Sequence, residues 1–162
     1  LNGSAPEMSV RDNLIAASLD KLSKGTILDR KAIEDYCEAC VEDFRVKTSS
    51  LDISIKSLSG GNIQKAIVAR EFTAGADIII LNQPTRGVDV GAMEFIHKKI
   101  LEMRDEKKSL ILVSADLAEL KALSDRIIVF HQGTIAGVLD DVPNTTEEEL
   151  GLYMLGSLNG ME

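Results

Sequence analysis

Apolar residues along the chain recur first at helical spacing and later in short unbroken runs. Residues 8 to 46 carry the helical pattern. Met8 to Leu19 forms one stretch, Lys24-Gly25-Thr26 interrupts it, and Asp29 is placed to cap a second helix. In DRKAIEDYCEACVEDF, residues Ile33, Tyr36, Cys37, Cys40, Val41 and Phe44 share one helix face. Residues 47 to 57 are polar and predict an extended connector. SLSGGNIQKAIVAREFTAG then predicts a helix that opens on a glycine pair and closes near Gly75. Ile78 to Leu81 is a continuous apolar run, as expected of a strand buried on both faces. Asp89 to Arg104 reads as a helix with Met93, Ile96, Ile100 and Leu101 inward. Leu110 to Val113 predicts a second buried strand, and Asp116 to about Ser124 another helix. Arg126 to Phe130 and Thr134 to Leu139 flank His131-Gln132-Gly133, a hairpin pattern. Thr146 with Glu149 marks a capping box for a last helix. A helical first third followed by alternating helices and apolar strands predicts an α/β architecture with a helical subdomain in front.

Composition narrows the function classes. The 162 residues are 44% hydrophobic and 27% charged, ordinary for a globular domain. Eighteen basic against 26 acidic residues give a formal charge of −8, with no dense Lys/Arg cluster, which disfavours a nucleic-acid surface. No apolar run is long enough to span a bilayer. Cys37 and Cys40 form a CxxC, but no second pair completes a zinc site and both fall on the apolar face, so a buried-core role is expected.

LSGGNIQ, residues 58 to 64, carries the strongest chemical signal. Adjacent glycines at a helix start let backbone N–H groups approach an anion, the helix N-terminus adds the positive end of its dipole, and Ser59 offers a hydroxyl. An ordinary N-cap with a flexible glycine pair is the bland alternative. The strand ADIIILNQP, the loop leading to Gly87-Val88-Asp89-Val90, and a second strand ending in Ser114-Ala115-Asp116 follow in order. This ordered set resembles the nucleotide-binding domain of an ABC transporter over nearly all of residues 8 to 158. LSGGNIQ resembles the signature motif, ADIIILNQP the Walker B strand, and the Gly87–Val90 segment the D-loop. LSGGN and QPTRGVDVGAMEFIHKK look most like the second ATPase half of the duplicated importers for simple sugars or nucleosides.

The resemblance implies a partial ABC-ATPase core with a mostly parallel sheet. Residues 1–57 would be helical subdomain and connector, and 58–162 the signature helix and C-terminal part of the core. It assigns Leu58, Ser59, Gly60, Gly61, Asn62, Gln64 and Asp89 to nucleotide binding. It places Asn82 where an aspartate would hold Mg²⁺, Gln83 where a glutamate would polarise water, and Ala115 where a switch histidine would stand. No GxxxxGK[ST] occurs, and the Q-loop is also lacking. The chain thus reads as a fragment that lacks part of the ATP site and would not hydrolyse ATP by itself. The implied cofactors are ATP and Mg²⁺. The implied partners are a second ATP-binding half, docked head to tail, and transmembrane permease subunits, with a substrate-binding protein further out and no nucleic acid. The expected place is the cytoplasmic face of the membrane.

Asn82 is neutral and attracts a hard cation weakly, and Gln83 cannot take up a proton. An engineered trap explains Gln83 alone, and random decay does not explain an intact LSGGN. A naturally asymmetric pair of halves explains both. In the head-to-tail arrangement LSGGN serves the partner's ATP, while Asn82, Gln83 and Ala115 serve this half's own. A passive permease-docking module is the alternative, and an ABC-type ATPase of chromosome or repair machinery a more distant one. Arg86 is expected in a structural or interface role, His97 at the core boundary, and His131 solvated at the hairpin tip.

Overall fold

The computed structural model describes residues 3–25 and 27–157. They form two compact units, Leu1–Ile111 and Leu112–Glu162, with the boundary inside a strand.

The first unit opens with α1 (Val10–Ile15), capped by Ser9. The Ser9 hydroxyl accepts from the Asp12 N–H while the Asp12 carboxylate accepts from the Ser9 N–H, a capping box the sequence reading missed. The interruption is wider than expected and has structure of its own: β1 (Ser23–Lys24) and β2 (Ile27–Leu28) pair antiparallel next to Gly25, whose φ is +66°. Asp29 caps α2 (Arg30–Asp43) as expected, accepting the N–H groups of Lys31 and Ala32 at 3.0 and 3.2 Å. The connector contains a 3₁₀ turn, Ile55–Ser57, and leads into α3 (Gly60–Thr73). Both α1 and α2 pack on α3, which also packs on α4 (Val90–Asp105).

Cys37 and Cys40 are free thiols at 0% and 2% exposure, as the helical spacing implied. Burial pushes the Cys37 thiol from its ordinary 9.0 up to about 12 and also raises that of Cys40. Native-state alkylation of Cys37 near pH 8 is therefore expected to run at least about a hundredfold slower than in concentrated urea. The folded state holds its proton longer than the unfolded state does. The Cys37 contribution to stability is thus full below about 9 and is lost as pH rises toward 12. Melts across that window, with and without Cys37→Ala, check the sign.

Between β3 (Ile78–Asn82) and β4 (Ser109–Val113), α4 is the crossover. The Ser109 N–H donates to Asp77 O at 2.9 Å, pairing the two strands at their starts, so they run parallel. The expectation that both strands are buried on two faces is corrected. In β3, Ile79 and Leu81 are buried, whereas Ile78 and Ile80 are 63% and 68% exposed. In β4, Ile111 and Val113 are exposed while Leu110 and Leu112 are half-buried. A continuous apolar run fixes the pleat but not how many layers cover it. On α4, Ile96 and Ile100 are buried as expected. Met93 and Leu101 are half-buried, and Ala92 joins the core.

The second unit contains α5 (Leu117–Leu123), β5 (Ile127–His131), β6 (Thr134–Leu139) and α6 (Glu147–Met154). The hairpin is antiparallel, with His131 opposite Thr134. Its two-residue turn, Gln132-Gly133, takes φ of 49° and 81°, the primed geometry that matches strand twist. Ile127, Val129, Leu139, Val142 and Leu150 form the core, and Tyr153 packs against it. Thr146 caps α6 through the Glu149 N–H at 3.1 Å. His131 is not merely solvated: its Nδ1 lies 2.8 Å from Met154 O, because the C-terminal end of α6 returns to the hairpin.

Candidate nucleotide-interacting site

The site is built on the start of α3. Leu58 closes the 3₁₀ turn by donating its N–H to Ile55 O at 3.1 Å. Ser59 follows in extended conformation as N-cap and is exposed. Its hydroxyl receives a long 3.4 Å contact from the Asn62 N–H and a firmer 2.9 Å bond from Asn62 Nδ2. Asn62 uses the other end of its amide as well: Oδ1 accepts the Lys47 N–H at 2.8 Å. One side chain thus ties the connector to the helix start. Gly60 and Gly61 lie in the first turn of α3, where backbone N–H groups have no intrahelical acceptor. Together with the helix dipole they form an anion-accepting end. Gln64 is half-buried in the next turn.

The two glycines do different things. A Cβ on Gly60 would meet only Gly87 O, at 3.7 Å. A Cβ on Gly61 would come within 3.0 Å of Asp89 Oδ2 and 3.1 Å of Ala92 Cβ. Gly61 is therefore the residue that lets α3 approach α4, a packing role the sequence does not disclose. Asp89 caps α4, with Oδ1 accepting the Ala92 N–H at 2.9 Å. The LSGGN start and the segment Gly87–Asp89 thus stand side by side. One turn further, Lys65 of α3 places Nζ 4.8 Å from the centroid of the Phe95 ring on α4.

Asn82 is the exposed last residue of β3. Gln83 leaves the strand with φ of 52° and its carbonyl accepts the Arg86 N–H at 3.2 Å. A left-handed non-glycine residue costs about 1–2 kcal/mol, so this turn is held by its surroundings, among them buried Pro84. Arg86 is exposed in that turn, and His97 is half-buried on α4. In the second unit, Ala115 is exposed between Ser114 and Asp116. The Ser114 hydroxyl accepts the Asp116 N–H at 3.0 Å, and Asp116 caps α5. A methyl group there supplies no polar atom. No cluster of His, Cys, Asp or Glu able to hold a metal is found among the described residues.

This arrangement has relatives. The chain is 42% identical over 157 residues to the nucleoside import ATP-binding protein NupA of Lactococcus lactis, covering 96% of this chain and 31% of that protein. It is 39% identical over 158 residues to the guanosine import ATP-binding protein NupO of Bacillus subtilis, again covering 96% and 31%. Against the ribose import ATP-binding protein RbsA of Lacticaseibacillus paracasei it is 38% identical over 146 residues, covering 90% and 29%. Its homologues are import ATP-binding proteins, and its fold is that of an ABC ATPase. The chain spans about a third of the length of these relatives. No family model matches it. The fold agrees: a dimeric ATP-binding cassette bound to ADP and Pi superposes with a TM-score of 0.70 at 19% identity, over 85% of this chain and 60% of that one. An ABC transporter of metal-chelate type in an inward-facing conformation gives 0.77 at 14% identity, over 96% and 61%.

Proposed function

We propose that this chain is part of the ATP-binding subunit of an ABC importer for simple sugars or nucleosides. Residues 1–57 are the helical subdomain and connector, and 58–162 the signature helix and C-terminal core. Its LSGGN completes the ATP site of a partner half, while its own hydrolytic positions, Asn82, Gln83 and Ala115, are degenerate. The carrying observation is the helix start at Ser59–Gly60–Gly61, with an exposed hydroxyl and free-ended N–H groups set beside Asp89. These groups fit a phosphate. They would bind and orient it, with Ser59 and the first-turn amides as donors and Asp89 fixing the neighbouring helix end. The Asn82 amide, by contrast, suits Mg²⁺ poorly, because it brings no charge to a hard cation.

The names of the relatives support the transport class, and the two sugar and nucleoside branches among them support the substrate range. The subunit sits at the cytoplasmic face of a membrane, docked on a permease. No helix among the described residues is long and apolar enough to cross the bilayer.

ATP turnover of the full-length protein tests the asymmetry. Restoring a carboxylate by Gln83→Glu is expected to leave turnover within about twofold, because one restored group does not rebuild a site that also lacks an acid at 82 and a ring at 115. A gain approaching the roughly hundredfold or more that a general base supplies would show that this half's own site hydrolyses ATP.

A further inference from the structure

We infer that Asn62 is a positioning residue that makes Ser59 a hydrogen-bond donor toward a phosphoryl oxygen, by fixing which way the serine hydroxyl proton points. This role rests on the reading of LSGGN as part of an ATP site, and it names the side chain that sets the polarity of that site. A hydroxyl oxygen carries one proton and two acceptor lone pairs. Two N–H groups of Asn62 face the Ser59 oxygen, Nδ2 at 2.9 Å and the backbone N–H at a longer 3.4 Å. Both donate, so the serine proton is left over. No acceptor takes it among the described residues, and Ser59 is exposed. The amide is not free to turn round. The Lys47 backbone N–H can only donate, so the Asn62 atom it meets at 2.8 Å is the oxygen. The nitrogen is thereby held toward Ser59.

The same chain contains the opposite polarity. Helix α1 also starts on a serine cap, and three residues after that cap stands an acid, Asp12. There the Ser9 hydroxyl donates to Asp12 Oδ2 at 2.6 Å, and the same oxygen accepts the Ser9 N–H at 3.4 Å. The hydroxyl proton is used inside the cap, and none is left to offer outward. An acidic side chain at this position is well suited to a helix start, because it closes the cap and complements the dipole. Helix α3 forgoes it and carries the neutral amide of Asn62. A carboxylate at 62 would draw the Ser59 proton inward, as Asp12 does at Ser9, and would set a negative charge beside an approaching anion. The amide does neither. With its lone pairs turned to Asn62, the Ser59 oxygen suits an ionised phosphoryl oxygen rather than a cation or a donor group.

The test uses the full-length ATP-binding protein. Asn62→Ala is expected to lower kcat about tenfold, short of the roughly 10²- to 10³-fold that outright loss of a preorganised donor costs, with KM for ATP changed less than about twofold. Asn62→Asp keeps an acceptor for the Lys47 N–H but recreates the Ser9–Asp12 arrangement, so kcat should fall at least as far. The dipole favours that carboxylate, so this variant folds even where Asn62→Ala is weakened. Asn62→Gln retains the amide and should lose less than either. The double variant Ser59→Ala plus Asn62→Ala should be no slower than Ser59→Ala, because Asn62 acts only through the hydroxyl. Amide exchange in the ligand-free protein, isotope-labelled on lysine, reads the tether apart from turnover. The Lys47 N–H should exchange faster in Asn62→Ala, but not in Ser59→Ala or Asn62→Asp. Unchanged Lys47 exchange in Asn62→Ala, wild-type kcat in folded Asn62→Asp, or rate losses that multiply in the double variant would each overturn the role of Asn62 while the signature reading stands. Unchanged turnover in Ser59→Ala would instead remove the signature reading, and the role of Asn62 with it.

Discussion

Gly60→Asp in the full-length protein is expected to lower ATP turnover at least about a hundredfold without loss of fold. Space is available, since a Cβ at Gly60 meets only the Gly87 carbonyl oxygen at 3.7 Å. The helix tolerates the change, because a carboxylate in the first turn is favoured by the dipole, by about 0.3–1 kcal/mol. On the proposed reading the cost falls on function: the new charge would stand where a partner's phosphate approaches, and the N–H donors there would be redirected to it. Losing one preorganised donor to a developing anion costs roughly 10²- to 10³-fold, and adding like charge increases that. Gly61→Asp is the contrasting variant. Its Cβ would crowd Asp89 and Ala92 at 3.0 and 3.1 Å, so a drop in melting temperature should accompany its loss of turnover. Turnover and melting temperature measured on both variants separate signature chemistry from helix packing. Unchanged turnover in a folded Gly60→Asp protein would move the passive docking module ahead as the function.

How much of this was readable in advance depends on the range of the interaction. The start of α3 at Gly60, the Asp29 and Asp89 caps and the Gln132-Gly133 turn all follow from local rules, because a cap or tight turn is decided within four residues. The β1–β2 pair was not legible: two-residue strands carry no period, and Lys24-Gly25 reads only as a break. The exposure of Ile78 and Ile80 was misjudged because residue type alone reports the pleat and not the layers above it. The LSGGN segment was evident as a motif. The separate duties of its glycines were not, since the approach of Gly61 to Asp89 joins residues far apart in sequence. The Asn62 bridge to Lys47 was hidden for the same reason.

The largest expected loss of stability comes from Leu14→Ala. Leu14 is fully buried on α1, which packs against both α2 and α3. With only six residues, α1 has too few hydrogen bonds to persist on propensity, so its docking depends on this apolar face. Truncation removes transfer free energy and leaves a cavity that rigid helices on two sides cannot close, about 2–5 kcal/mol in all. Leu19→Ala, at 44% exposure, is expected to cost well under half of that. Amide exchange along α1 and α3 reads the difference directly: protection should fall by the same free energy in both helices if Leu14 is what couples them. A fall confined to α1 would mean that α3, and with it the placement of Ser59 and Gly60, is held by α2 and α4 alone. The Ser59–Gly60 end of α3 would then be insulated from changes at α1.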